Sequence, residues 1–332
     1  MSMIDRAQGC LLGALIGDAA GATLEFLGRR PTEEDLDRAL AMSGGGVFRL
    51  APGQITDDGE LTLALAHALI DGEGDYDLDK VAARYKAWFD SGPFDIGGTT
   101  HSALSVRVQD GFSLSEAMTQ RAQAHSMGSK ANGALMRASP LGIWAARQTV
   151  DKAVRVARAD ACLTHPNPSC QWANVAYVLA IRHLMLREGD SSGAILAARD
   201  ALETWLEEGT EEVLGWLDDA CAGKLPDCHP QAGYVRIAFT HAFHHLRMES
   251  SYTVALRQVL SGGGDTDTNA CIVGGLVGAH CGVHEVPPTM AQAVLECGTQ
   301  HGRERPVWLR TGVGYFKVAR GLFGRSISGD TS

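Results

Sequence analysis

The sequence predicts an all-α protein, and three observations carry that prediction. No segment alternates apolar and polar residues over strand length or forms a β-branched run. Apolar residues instead recur at the helical period in most stretches of the chain. These stretches follow one another with short loops, and no linker divides them, so a single domain over residues 1–323 is expected.

The elements follow in order. Residues 4–22 read as a helix on which Gly9, Gly13, Gly17 and Gly21 recur every four residues, a smooth ridge suited to close packing against a second helix. Asp18 interrupts an apolar run already too short to cross a bilayer. The preceding segment, with Asp5 and a single Arg6, lacks the charged start of a signal peptide, so a buried soluble helix is the better reading. Glu25 falls just past its end, as a solvated acid or a ligand. Thr32, followed by Glu33, Glu34 and Asp35, is an N-cap with an acidic first turn and opens a short helix to residue 42. Residues 47–50 read as a short extended piece.

Thr56, Asp57 and Asp58 then stand at a helix start, with Leu61, Leu63, Leu65, Ala68 and Leu69 forming the apolar face behind them. Asp57 and Glu60 have the spacing of a capping box. Adjacent carboxylates repel at neutral pH, however, and a bound cation is an economical reason to keep both ionised. After a helix over 78–89, Gly97 and Gly98 before Thr99 make backbone N–H groups available to an anion, though a plain helix entry explains them as well.

Helices are expected at 114–124, 133–147 and 149–162, the second preceded by the polar start Ser129, Lys130, Ala131, Asn132 and Gly133. His165, restrained by neighbouring prolines, suits ligand contact and turn packing equally. Helices follow over 169–188 and 191–208, through 217, and over 232–247. His241, His244 and His245 share one helical face, but no acid stands between them as in a zincin, so they read as a partly buried face.

The stretch from Ser261 to Asn269 places Asp265, Thr266, Asp267 and Thr268 directly behind Gly262, Gly263 and Gly264. Carboxylates and hydroxyls suit Mg2+, Mn2+ or Ca2+, and glycines let the backbone approach closely. Capping of the helix over 270–280 by Asp265 or Asp267 is the simpler alternative. An EF-hand is excluded because Ala270 and Leu276 replace its glycine and glutamate, and no Gly-Lys-Ser/Thr follows to make a phosphate loop. A last helix runs from Pro287 and Pro288 to 301, and residues 324–332 read as a frayed tail.

Composition narrows the function. A net charge of −10 and a pI near 5.6 argue against nucleic-acid binding. Eight cysteines without a C-x-x-C pair read as reduced thiols of a cytoplasmic protein, not as a disulfide framework or zinc site. A monomer is the default. The acidic residues near positions 25, 56 and 265 must meet if they share a metal.

The ordered set Gly9-Cys-Leu-Leu-Gly-Ala-Leu-Ile-Gly-Asp18 with Glu25, Gly53-Gln-Ile-Thr-Asp-Asp58, Asp95-Ile-Gly-Gly-Thr-Thr100, Asn132-Gly-Ala-Leu-Met-Arg137, Thr164-His165 and Gly263-Gly-Asp-Thr-Asp-Thr268 resembles the ADP-ribosylglycohydrolases. The resemblance covers residues 4–310. It implies an orthogonal multi-helix bundle around two Mg2+ or Mn2+ ions, held by Thr56, Asp57 and Asp58 on one side and Asp265, Asp267 and Thr268 on the other. Glu25 and Asp58 would move protons, and Gly97, Gly98, Thr99, Ser129, Asn132, Gly133 and His165 would line the ADP-ribose cleft. Lys130, Ala131 and Gly98 depart from the residues many members carry.

The expected activity is metal-assisted hydrolysis at ribose C1 of an ADP-ribosylated protein, an arginine linkage being favoured over serine or another O-linked one. The alternatives are a hydrolase of another phosphate or nucleoside substrate and an inactive ADP-ribose-binding or structural member.

Overall fold

A computed structural model describes residues 1–72, 75–108, 110–229, 232–312 and 315–323, so the expected frayed tail lies outside the described residues. Those residues form sixteen α-helices and no strand. The first seven are α1 (Met3–Gly21), α2 (Glu33–Leu40), α3 (Asp57–Asp71), α4 (Leu78–Asp90), α5 (Gly98–Leu104), α6 (Leu114–Ser126) and α7 (Ser139–Ala145). Then come α8 (Val150–Cys162), α9 (Pro168–Leu186), α10 (Ser191–Trp205), α11 (Thr210–Cys221) and α12 (Val235–Arg247). The chain ends with α13 (Tyr252–Ser261), α14 (Thr266–Cys281), α15 (Pro288–Leu295) and α16 (Tyr315–Gly321). The fold is the all-α, orthogonal multi-helix bundle that the sequence pointed to.

The expected glycine ridge of α1 packs on α14. A Cβ added at Gly9, Gly13, Gly17 or Gly21 would fall 2.3, 2.3, 2.1 and 2.3 Å from the carbonyl oxygens of Gly278, Gly274, Ala270 and Thr266. The partners step by four in opposite directions, so the helices run antiparallel with their backbones touching. Gly274 and Gly278 reciprocate, meeting the carbonyl oxygens of Gly13 and Gly9. Polar side chains close this interface. Tyr252 donates to Gly13 O at 2.7 Å, Thr266 to Gly21 O at 2.8 Å and Tyr177 to Ile272 O at 2.8 Å. One cluster of buried apolar residues surrounds the pair and draws on helices from α1 to α16.

Several local expectations change. The helix expected over 133–147 begins only at Ser139, because Pro140 lacks an N–H and is tolerated in a first turn but not in mid-helix. The stretch from Asn132 to Ala138 is instead a series of turns. The piece over 47–50 is a turn closed by a single bridge between Gly45 and Leu50, with Gly44, Gly45 and Gly46 all at positive φ, a conformation that ends extended pairing. The last expected helix stops at Leu295, and a separate 3-10 turn spans Thr299–His301. Helices α13 and α16 had no counterpart in the sequence reading.

Thr32 does form the expected cap. Its side chain accepts from Asp35 N at 3.3 Å, while Asp35 accepts from Thr32 N at 2.8 Å. The histidine triplet on α12 hydrogen-bonds nearby groups: His241 meets Pro226 O, His244 meets Ala220 O and His245 meets Ser250 Oγ. All eight cysteines are free. No helix among the described residues is long and apolar enough to cross a membrane.

Candidate active site

The close contact of α1 with α14 decides where the chemistry sits. Gly21 abuts Thr266 and Asp267, so the C-terminal end of α1 meets the N-terminal end of α14. Asp18, one turn inside α1, thereby comes against Asp267, and the start of α3 packs on both. One oxygen from each of Asp18, Asp58 and Asp267 lies within 4.8 Å of the other two, and all three residues are buried. A second group joins Glu25 and Asp265 to Asp267 in the same way. Asp267 belongs to both, so the two acidic sequence clusters form one continuous site.

Neither aspartate cluster caps its own helix. Thr56 and Asp265 occupy the N-cap positions of α3 and α14 and make no side-chain capping bond. The expected box between Asp57 and Glu60 is likewise not formed. Asp18 caps α3 from outside, accepting from Thr56 N at 3.1 and 2.9 Å, Thr56 Oγ1 at 2.7 Å and Gly59 N at 2.8 Å. Gly59 has to be small, since a Cβ there would lie 2.6 Å from Asp18 Oδ2. Glu60 turns away, to Arg305 and Trp88, where it accepts from Arg305 Nε and Trp88 Nε1 at 2.7 Å each. Within α14, Asp267 Oδ1 accepts from Thr268 N at 2.8 Å, and the acidic side chains at both helix starts stand beside two positive dipole ends.

The donors around Asp58 are few. Thr56 Oγ1 at 3.4 Å and Thr268 Oγ1 at 3.3 Å share its Oδ2, and its buried Oδ1 has no hydrogen-bond partner. An orphaned carboxylate oxygen among other carboxylates is costly unless a cation completes it. The donor set is carboxylate and hydroxyl, without histidine or cysteine in either group, and fits a hard divalent ion. These residues fit the metal that the sequence suggested.

Crowding also sets the proton affinities. Burial, then the charges of Asp95, Asp18 and Asp265, push Asp57 well above the usual carboxylate range. Burial and Asp57 do the same for Asp58, and burial and Glu25 for Asp267. Asp18 is raised to about 7, mainly by burial and against the pull of its bonds from Thr56 and Gly59. Glu25 is raised to about 8 by burial and the neighbouring charge of Asp265.

A raised folded-state value means that the folded chain holds protons which the unfolded chain releases near pH 4. Metal-free protein should therefore lose stability as pH rises from about 4 through the values of about 7 and 8. Thermal melts in chelator should show a Tm lower at pH 8 than at pH 5 by on the order of 5 °C. Added Mg2+ or Mn2+ should recover more at pH 8 than at pH 5. An equal gain at both pH values would contradict a carboxylate-held cation.

A cleft of about 270 Å³ stands over this floor. Asp57, Asp265, Asp267, Thr268, Gly97, Gly98, Thr99, Asn132, Gly133 and His165 all face it. Glu25 does too, on the segment after α1. Thr56 and Asp58 lie behind the surface layer, and Ser129 reaches the cleft only through Thr99, Oγ to Oγ1 at 3.0 Å. Asn132 Nδ2 donates to Asp265 Oδ2 at 2.7 Å, and its backbone N donates to Gly233 O at 3.0 Å, which fixes one wall to the other. A Cβ at Gly133 would lie 2.8 Å from His165 Cε1, so this glycine is required by the ring opposite. Lys130 points elsewhere, its ammonium 2.7 Å from both Glu212 oxygens.

Burial and the nearby Arg137 lower His165 to about 3, so it stands as a neutral imidazole. Two acids missed as site residues are Asp18, legible only as a charge inside an apolar helix, and Asp95, which faces the cleft beside Gly97. Burial raises Asp95 as well, with Asp265 adding to it.

Known proteins agree with this architecture. The chain is 29% identical over 286 residues to the ADP-ribosyl-[dinitrogen reductase] glycohydrolase of Rhodospirillum rubrum, covering 86% of this chain and 89% of that protein. It is 28% identical to the ADP-ribosylarginine hydrolase Tri1 of Pseudomonas putida, covering 88% and 74%. It is also 28% identical to the ADP-ribosylhydrolase ARH3 of Mus musculus, covering 87% of each. A solved structure titled ADP-ribosylglycohydrolase-related protein complex superposes with a TM-score of 0.74 over 97% of this chain and 98% of its own, at 23% identity, which speaks for the fold. Residues 1–314 match the ADP-ribosylglycohydrolase family model, and the chain belongs to that family of glycohydrolase enzymes.

Proposed function

We propose that this enzyme is a metal-dependent hydrolase that frees ADP-ribose from a modified protein side chain, with the N-glycosidic arginine linkage as its preferred substrate. The observation that carries this reading is the convergence of two carboxylate groups through Asp267 at the floor of the cleft. Thr56, Asp57 and Asp58 with Asp265, Asp267 and Thr268 would hold two Mg2+ or Mn2+ ions, and Asp18 would fix Thr56 from behind. Such ions would supply a water of lowered pKa and anchor points for the ribose hydroxyls.

The chain's own residues account for the remainder. Gly97 and Gly98 leave open space above the first turn of α5, since a Cβ on either would meet nothing within 4 Å, and their N–H groups can face an anionic diphosphate. Thr99, Asn132 and His165 would orient the nucleotide. In hydrolysis the C1–N bond breaks and a C1–O bond forms. One water proton stays on the new hydroxyl, and the other passes to the leaving guanidine nitrogen. Glu25 faces the cleft and can carry that proton. Asp58 is 1% exposed and enclosed by Thr56 and Thr268, so we assign it to the ion and not to proton transfer.

A second cavity of about 470 Å³, walled by Leu24, Leu27 and Ala232, adjoins the cleft at Glu25 and Asp265. It leaves room for the side chain that bears the modification. The name of the Pseudomonas putida relative supports arginine as that side chain. Purified protein with Mg2+ or Mn2+ should release ADP-ribose from ADP-ribosyl-arginine at least about tenfold faster than from ADP-ribosyl-serine, a difference of about 1.4 kcal/mol in barrier. Chelator should stop both. Release from neither substrate would overturn the proposal, and faster release from serine would reverse the linkage.

A further inference from the structure

Beneath the cleft lies a buried charge that the proposed chemistry does not use. Arg137, fully buried, sits 4.5 Å over the Tyr85 ring and donates through Nε to Asp160 Oδ2 at 3.2 Å. Its Nη2 donates to Asp160 O at 3.0 Å, and Tyr85 donates to Asp160 Oδ1 at 2.7 Å. Its Nη1 serves the cleft walls, donating to Gly133 O at 3.1 Å and to Thr164 Oγ1 at 2.9 Å. A buried ion pair is a poor device for stability, because apolar residues of similar size often do as well, whereas it fixes directions that apolar packing leaves loose.

The direction fixed here is that of a proton. A guanidinium can only donate, so Thr164 Oγ1 accepts from Arg137. The acceptor facing the hydroxyl's own proton is His165 Nδ1, 2.8 Å away. With Nδ1 accepting, the neutral ring carries its proton on Nε2, the atom that looks toward Gly133 and the cleft, 3.0 Å from where a Cβ on Gly133 would stand.

We infer that Arg137 is a positioning residue which, through Thr164, locks His165 as the Nε2–H tautomer and so presents a fixed donor to an oxygen of the bound nucleotide. Without the guanidinium, the Thr164 hydroxyl could equally accept from an Nδ1–H ring, and the cleft would then face a bare nitrogen lone pair. That lone pair repels phosphate oxygens, which can only accept. The inference rests on the proposed ADP-ribose cleft for its ligand, but not for its tautomer.

Nitrogen-15 spectra of histidine-labelled full-length protein at pH 7 read the tautomer directly. Wild type should show His165 protonated at Nε2 and bare at Nδ1. Thr164→Val keeps the shape and removes the hydroxyl; it should populate the Nδ1–H form and weaken ADP-ribose binding about tenfold by calorimetry. Thr164→Ser should restore both. Arg137→Met, with its fold checked by circular dichroism, should mix the tautomers in the same way, and the threonine variants decide the matter if it fails to fold. An Nδ1–H ring in wild type overturns the inference. So does a Thr164→Val protein that loses affinity while its ring stays Nε2–H, since that would be a packing effect. Wild type that shows the Nε2–H ring and binds no ADP-ribose upholds the lock and overturns the substrate reading instead.

Discussion

Asp57→Ala and Asp265→Ala should each lose bound Mg2+ or Mn2+ and cut ADP-ribose release by about a thousandfold or more, the several kcal/mol that a lost metal contributes to a barrier. The two residues stand at the starts of different helices, and each faces the cleft. Removing either leaves an incomplete donor set. Loss of fold would mimic this result, but the electrostatics point the other way. Asp57 is held well above its ordinary range by burial and by Asp95, Asp18 and Asp265, so deleting it relieves repulsion in the metal-free protein. The variant should therefore melt in chelator no lower than wild type. Metal content by elemental analysis, Tm in chelator and ADP-ribose release measured together check the prediction. An Asp57→Ala protein with full metal content and full activity would remove Asp57 from the site.

Gly17→Ala should be strongly damaging although it removes no carboxylate. The added methyl would sit 2.1 Å from Ala270 O and 2.4 Å from Ala270 C, both backbone atoms of a helix that cannot rotate away. Helices α1 and α14 must separate, and overpacking of this kind costs about 3 kcal/mol, or a Tm lower by roughly 6 °C or more. The site should suffer in proportion. Asp18 lies next to Gly17 in α1 and Asp267 in the first turn of α14, so spreading the helices pulls apart one carboxylate group. Metal affinity should fall together with Tm. Gly215→Ala on α11 is the control, because a Cβ there meets nothing within 4 Å. It should stabilise by about 1 kcal/mol through helix propensity alone. If Gly17→Ala melts like wild type, the close helix contact does not hold the fold together.

Much of this was legible because it depends on local spacing. The four-residue glycine step on α1 announces a close helix contact, since only that period puts every glycine on one face. Thr56, Asp57 and Asp58, like Asp265, Asp267 and Thr268, are dense enough in oxygen donors to suggest a metal before any fold is known. Arg137 and Asp18 stand within motifs, yet local spacing assigns them no role. A buried arginine or aspartate takes its meaning from partners distant in the chain, here Thr164 and Asp160 for one and Thr56 and Gly59 for the other. The helix over 133–147 misled because apolar periodicity outlasts helical geometry, and Pro140 moves the start to Ser139.

By itself the sequence determined the all-α class, the glycine face of α1, the two clusters rich in carboxylates and hydroxyls and, through its ordered motifs, the family. Only the tertiary structure decided which glycine ridge met which helix, that Asp18 and not Asp57 caps α3, that Asp58 keeps an unpaired oxygen, and that Arg137 stands behind His165. The reason is physical. Periodicity and donor chemistry are properties of a few neighbouring residues, whereas hydrogen-bond direction, burial and charge crowding exist only after distant segments have been packed together.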